Sequence, residues 1–264
     1  MALYIVGTPI GNLGDVTKRA VETLEKVDLI ACEDTQHTRV LLAALGIKKP
    51  LVSYYKHKEQ EGAALLVEKL LAGTEIALVS DAGMPVISDP GAILVRKARD
   101  AGVKIETVPG PTAVTTAAAL VGLDGGFTFI GFLPEKTVDK KRKIEPYRST
   151  PLPLVFYVGP HDVKKVVSFL YEELGDRTAY LVKELTKIYE GYIAIRLKDG
   201  VPEEPRGEYV VIVEGASEEN PLLALTPEGH LAHYLAQGME KKEAIKKVAA
   251  ERGVPRDEIY KLTV

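Results

Sequence analysis

The feature that most constrains this fold is an alternation in the first half of the chain. Apolar runs at residues 3–7, 29–32, 51–54, 76–80 and 103–108 read as strands. Between them lie segments with helical spacing. In residues 15–27 the apolar positions Val16, Ala20, Val21, Leu24 and Val27 recur at helix period, with Asp15 the expected N-cap. Residues 38–45, 58–72 and 92–101 follow the same pattern. Strands that alternate with helices predict a parallel-type α/β sheet. In such a sheet ligands bind beyond the carboxyl ends of the strands, so the loops that follow the strands carry the functional question.

Four loops stand at those ends. Residues 7–14 are glycine-rich, yet they lack the lysine of a nucleotide phosphate loop and the glycine spacing of a dinucleotide fingerprint. Residues 33–38 open with two adjacent acids, Glu33 and Asp34. They read either as helix capping by Asp34 or Thr35, with His37 on the surface, or as a polar cluster facing the cleft. Residues 80–91 combine small residues, two acids and two prolines, with Arg96 the one basic residue nearby. Asp81 there suits a ligand with hydroxyls or positive charge better than a polyphosphate. Residues 109–113 lead into an Ala-rich helix, whose amino terminus offers N–H donors to a carboxylate.

After residues 122–126 the pattern restarts. Strands are expected at 127–131, 154–158, 178–182, 189–194 and 209–214, with a helix at 163–174. Neighbouring strands predict a mixed second sheet. The expected division is an amino-terminal α/β domain at 1–112, a second α/β domain at 113–222 and a helical tail at 223–264. In the tail, Thr226-Pro227 starts a helix with Leu231, Tyr234 and Leu235 on one face, followed by segments 240–252 and 255–262. Three short helices resemble a helix-turn-helix unit. They serve either as packing against the rest of the fold or a second copy, or as RNA contact through Lys241, Lys242, Lys246 and Lys247.

Composition narrows the function classes. With 264 residues, 46% apolar and 27% charged, the chain has the make-up of an ordinary globular protein with a sizeable core. A net charge of −3 gives no global basic field for nucleic acid. One local patch exists at Lys136, Lys140, Lys141, Arg142 and Lys143, either a solvated face or an RNA contact. The single cysteine, Cys32, lies in an apolar run and reads as core. It forms no internal disulfide, which fits a reducing cytoplasm. The five histidines lack ligand spacing, so no metal is expected. The apolar start at residues 2–7 is too short for a signal peptide or a span, and no membrane association is expected.

Seven motifs occur together in order: Val6-Gly7-Thr8-Pro9-Ile10-Gly11-Asn12-Leu13, Glu33-Asp34-Thr35 with Thr38, Ser80-Asp81-Ala82-Gly83, Pro109-Gly110-Pro111, Gly131-Phe132-Leu133-Pro134, Lys183-Glu184-Leu185-Thr186-Lys187 with Glu190, and Gly207-Glu208-Tyr209 before Glu214-Gly215. With them the chain resembles the ribosomal RNA small subunit methyltransferase I family of the tetrapyrrole methylase superfamily, over nearly its full length. The resemblance implies a class III S-adenosylmethionine methyltransferase of two α/β domains, usually a homodimer. It implies methyl transfer to the ribose 2′-hydroxyl of a cytidine in the decoding region of 16S ribosomal RNA, with the 30S subunit as partner. The cofactor carries a carboxylate, a ribose diol, an adenine and a sulfonium. By position, Pro9, Ser80, Asp81, Ala82, Gly83, Met84, Pro111, Thr112 and Ala113 match the cofactor loops, and Tyr157 reaches in from the second domain.

Methyl transfer is an in-line displacement in which the acceptor oxygen must also lose a proton. Glu33, Asp34, Glu184 and Lys187 are the candidates. Glu184 and Lys187 are expected near the target ribose, or else as a structural ion pair. Lys140, Lys141, Arg142 and Arg39 are the expected RNA contacts. The chain departs from the family pattern at Met84 (usually Thr), at Gln36 (usually Arg) and at Asp162, which follows Pro160-His161 where the family often has Arg. A small-molecule methylase of the tetrapyrrole or corrin type, and a non-catalytic binding module, are the alternatives on the same fold.

Overall fold

The computed structural model describes residues 1–55, 58–216 and 221–262. They form two compact units, one ending at Ala216 and one comprising the carboxyl-terminal helices.

In the first unit, five strands make a wholly parallel sheet: β1 (Ala2–Val6), β2 (Leu29–Cys32), β3 (Leu51–Ser53), β4 (Ile76–Leu78) and β5 (Lys104–Val108), in the order β3-β2-β4-β1-β5. The unbroken apolar run of β1 is explained by burial on both sides. Tyr4 and Val6 face Ala20 and Leu24 of α1 (Lys18–Lys26) and Leu42 of α2 (Thr35–Ala44). Leu3 and Ile5 face Leu66 and Leu70 of α3 (Glu59–Leu71) and Leu94 of α4 (Ala92–Asp100).

Two expectations shift here. Asp15 is not the N-cap of α1. It ends a short 3-10 turn, Leu13–Asp15, and the cap is Thr17, whose hydroxyl accepts from the Ala20 N–H at 3.1 Å. Helix α2 starts at Thr35, three residues before its apolar periodicity does, because the Asp34 carboxylate accepts from the N–H groups of Gln36 at 2.7 Å and His37 at 3.2 Å.

The second sheet is mixed, as the sequence predicts. Strands β6 (Thr128–Phe132), β7 (Leu154–Val158), β8 (Thr178–Lys183), β9 (Gly191–Arg196) and β10 (Tyr209–Val213) run in the order β6-β7-β10-β8-β9. Only β6 and β7 are parallel. One face packs on α6 (Thr137–Ile144) and α7 (Val163–Leu174) through Ile144, Val167 and Leu170. The other carries Val155, Val182, Val210 and Ile212 against Val114 and Ala117 of α5 (Ala113–Leu120). Strand β9 begins later than residue 189, because residues 184–190 form a loop of their own.

The second unit holds α8 (Pro227–Ala236), α9 (Lys241–Arg252) and α10 (Arg256–Lys261) around Leu231, Tyr234, Ile245, Val248 and Ile259. Leu235, expected on the same face, is 39% exposed. His230 is fully buried. Its Nδ1 accepts from Arg252 Nε at 3.1 Å, which leaves Nε2–H to donate to the Glu251 carboxylate at 2.8 Å. The Tyr234 hydroxyl donates to the same carboxylate at 2.9 Å. Among the described residues no helix is long and apolar enough to cross a membrane.

Candidate active site

The order β2-β4-β1-β5 places the four loops side by side at one end of the parallel sheet. Backbone stitches fix them there. Thr8 and Gly83 exchange N–H···O bonds of 2.9 and 3.1 Å, and the Gly7 N–H donates to Val108 O at 3.0 Å. The Asp34 N–H donates to the Asp81 carboxylate at 3.2 Å, tying the loop after β2 to the loop after β4. Gly7 and Gly110 touch: a Cβ on Gly7 would lie 2.7 Å from the Gly110 backbone, so the loops after β1 and β5 meet only with no side chain on either.

The loop after β4 is the most constrained. Val86 and Ser88 hold φ of 77° and 72°, a region that L residues rarely occupy. The Ser80 hydroxyl is buried against the carbonyls of Ala82 and Gly83, each 3.3 Å away. At the loop's far end, the Gly91 N–H donates to Glu59 of α3 at 2.7 Å. Burial and the neighbouring Glu59 carboxylate push the Tyr54 hydroxyl well above its ordinary value, and it donates to Glu59 at 3.2 Å.

These loops and the end of the mixed sheet enclose a cavity of about 390 Å³. From the first sheet come Ile10, Glu33, Asp81, Ala82, Gly83, Met84 and Asp89, and from the start of α5, Thr112 and Ala113. From the second come Phe132, Tyr157, Val182, Glu184, Leu185, Lys187 and Glu208. The size is that of a small-molecule site, with apolar walls and a few polar groups. Among the described residues that line it, Lys187 is the one cation against five carboxylates. That balance suits a cationic ligand. Asp89 registers the crowding: burial first, then Glu33 and Asp81, push its carboxyl from 3.8 up to about 6.

Sequence reasoning did not single out Asp89, although it lies in the loop of residues 80–91. Its signal was the second acid of residues 80–91, which follows the left-handed Val86 and Ser88 in the same loop. Of the expected cofactor residues, Asp81, Ala82, Gly83, Met84, Thr112, Ala113 and Tyr157 line the cavity. Ser80 stands behind it, and Pro9 and Pro111 lie on the loops that frame it without lining it. Met84 packs into the core between the sheet and α3/α4, with Sδ against Gly7, so the thioether serves as loop filling.

The donors expected at the start of α5 are already used in part. The Val114 N–H donates to the Tyr157 hydroxyl at 3.1 Å, and the Thr115 N–H to the Thr112 hydroxyl at 3.4 Å. Tyr157 is also held edge-on by Phe129 and Phe132, with centroids 4.9 and 5.5 Å away. Burial raises its hydroxyl's pKa.

Of the expected catalytic residues, Glu33, Glu184 and Lys187 line the cavity, while Asp34 is spent on the α2 cap. Lys187 Nζ lies 3.1 Å from the Glu184 carboxylate. That carboxylate sits over Gly207, where a methyl group would overlap it. The expected RNA contacts lie elsewhere. Lys141 pairs with Glu173 at 3.2 Å, Arg142 with Asp139 at 2.9 Å, and Lys140 stands over the Phe169 ring. Arg39 is exposed on α2. Cys32 is buried, and burial raises its thiol.

Residues 2–199 match the family model described as tetrapyrrole (corrin/porphyrin) methylases. Two proteins named ribosomal RNA small subunit methyltransferase I are similar along nearly the whole chain. That of Bacillus subtilis (strain 168) is 41% identical, covering 98% of this chain and 92% of its own. That of Halalkalibacterium halodurans is 42% identical, covering 98% and 93%. Among solved structures, uroporphyrin-III C-methyl transferase from Thermus thermophilus, complexed with S-adenyl homocysteine, superposes with a TM-score of 0.58 at 21% identity. It covers 81% of this chain and 96% of its own. At that identity the likeness speaks for the fold.

Proposed function

The chain belongs to the tetrapyrrole methylase family, and from that premise we propose that its substrate is the RNA of the small ribosomal subunit. It is a methyltransferase that uses S-adenosylmethionine. The acceptor in this reading is the ribose 2′-hydroxyl of a cytidine in the decoding region of 16S RNA. The enzyme works in the cytoplasm on the 30S subunit; its homodimeric state carries over from the family resemblance alone. The observation that carries the substrate is the 41% identity to a ribosomal RNA methyltransferase across 98% of the chain, which extends past residue 199, where the family model ends.

The acidic, apolar-walled cavity fits the cofactor. Asp81, Asp89 and Glu33 give it the negative side that a sulfonium and an ammonium require. Ala82, Gly83, Met84, Thr112, Ala113 and Tyr157 form its walls, and Ser80, Pro9 and Pro111 hold the loops that carry them. The cofactor, when bound, supplies the methyl group as an electrophile on sulfur.

The chain's own part is to hold the acceptor ribose in line and to take up its proton. Glu184 and Lys187 carry that role. Glu184 accepts the proton of the 2′-hydroxyl while Lys187, 3.1 Å away, orients the carboxylate and favours negative charge on the acceptor oxygen. Lys140, Lys141, Arg142 and Arg39 lie outside the cavity, where they meet phosphates of a large RNA. Their contribution reads out as the salt dependence of subunit binding.

Methyl-labelled S-adenosylmethionine is supplied with small subunits lacking the modification, with free 16S RNA and with a corrin or porphyrin acceptor. Label on a cytidine ribose of the RNA is expected. Label on the macrocycle and none on RNA overturns the reading.

A further inference from the structure

The loop between β8 and β9 presents two bare apolar side chains to solvent: Ile188 is 94% exposed and Tyr189 79%. This is no loose tip. Glu184 and Thr186 hold left-handed φ values of 50° and 64°, unfavourable for any residue with a Cβ and more so for a β-branched threonine. Three hydrogen bonds keep them there: Lys187 N–H to Glu184 O at 3.0 Å, Glu190 N–H to Lys187 O at 3.1 Å, and Thr186 N–H to the Glu190 carboxylate at 2.6 Å. The loop also closes on the turn after β1, where a Cβ on Gly11 would lie 2.9 Å from both Leu185 O and Thr186 Oγ1. A strained backbone so tightly held is a feature of functional segments.

The position gives the loop a purpose. Glu184, Leu185 and Lys187 line the cavity, and Ile188 and Tyr189 are the next two residues of the chain. Val182 lines the cavity, and Tyr192, 48% exposed, is its register partner on β9, hence on the same face of the sheet. Tyr180 packs edge-on against Tyr192, with centroids 6.0 Å apart. Tyr180 and Tyr192 thus form an aromatic pair on the same face of the second sheet as the cavity-lining Val182.

We propose that Tyr189 and Ile188, with Tyr192 on the strand that follows, form the platform on which an unpaired base of the substrate RNA stacks, so that the target ribose is held at the cavity mouth. The assignment rests on the RNA reading above and names the residues that seat the substrate. Exposed aromatics interleaved with a cation are what single-stranded RNA requires, since every base has a face to stack. A nucleotide leaving its helix needs such a surface to replace the stacking it gives up. Ile188, next to Tyr189, fits as the apolar wedge that keeps the neighbouring base from returning.

The test is the KM for unmodified small subunits of the full chain, wild type against Tyr189→Ala, Ile188→Ala and Tyr189→Phe. The affinity for S-adenosylmethionine and the sedimentation of each variant are measured alongside. Losing one base–aromatic stack is worth about fivefold or more, so Tyr189→Ala should raise KM by at least that factor, while Tyr189→Phe stays within about twofold. Cofactor affinity and oligomeric state should not move. Wild-type KM in Tyr189→Ala overturns the platform and leaves the RNA reading standing. A variant that loses its partner copy also overturns it, and marks the face as an interface between copies. If the wild-type protein itself transfers no methyl to subunits, both fall together.

Discussion

Asp89 shows how one residue reports on the whole cavity. Its folded-state pKa, about 6, lies above the ordinary 3.8, so the fold favours the neutral acid. The stability this gives is complete at low pH and is lost as pH rises through about 6. At neutral pH the carboxylate therefore costs stability. Asp89→Asn should raise the unfolding free energy at pH 7 by about 1–2 kcal/mol, after allowance for its partial exposure, and abolish the loss of stability that ionisation of Asp89 causes between about pH 4 and 6. A cationic cofactor reverses the preference. Affinity for S-adenosylmethionine, followed calorimetrically from about pH 8 to 5, should fall as Asp89 takes its proton, and the asparagine variant should lose that part of the pH dependence. Lys187 makes the companion case. Lys187→Ala should lower kcat about a hundredfold at unchanged cofactor affinity if the pair acts in proton transfer. Wild-type turnover would reduce the Glu184–Lys187 pair to a structural one.

At the scale of elements, the site depends on loops that touch without side chains between them. Gly110→Ala would push a methyl group into the Gly7 backbone, 2.9 Å away, and separate the loops after β1 and β5. We expect about 1–3 kcal/mol of lost stability together with weakened cofactor binding, read from a thermal melt with and without ligand. The elements themselves were largely legible. The apolar run at residues 3–7 announced a strand, and the crowding of short strands after residue 127 announced the mixed sheet. What pattern could not supply was neighbourhood. No periodicity says that β4 inserts between β2 and β1, yet that insertion brings Glu33 beside Asp81. Nor does it reveal that Asp34 is used up as a cap, that Tyr157 occupies a donor of α5, or that Val86 and Ser88 take left-handed backbone just before Asp89. Those outcomes are set by tertiary hydrogen bonds and backbone strain, which leave no spacing in the chain.

At the scale of the whole molecule, the two compact units differ in what stabilises them. The sheets hold large apolar cores. The carboxyl-terminal helices have a small one, completed by a half-buried network in which the buried His230 and Tyr234 meet Glu251 and Arg252. His230→Ala removes one partner each from Glu251 and Arg252 and leaves a cavity where the fully buried ring stood, and should destabilise that unit by about 2–4 kcal/mol. Hydrogen exchange should then accelerate across α8 to α10 while β1 to β10 keep their protection. Equal acceleration in both units would show a single cooperative fold. The same chain offers a convenience for following such behaviour. Its one thiol, on Cys32, is sealed in the parallel sheet and shifted away from the reactive thiolate. The native protein is therefore silent toward maleimides, and a cysteine introduced on α9 or beside Tyr189 becomes the sole attachment point for a fluorophore or spin label, without first mutating anything away.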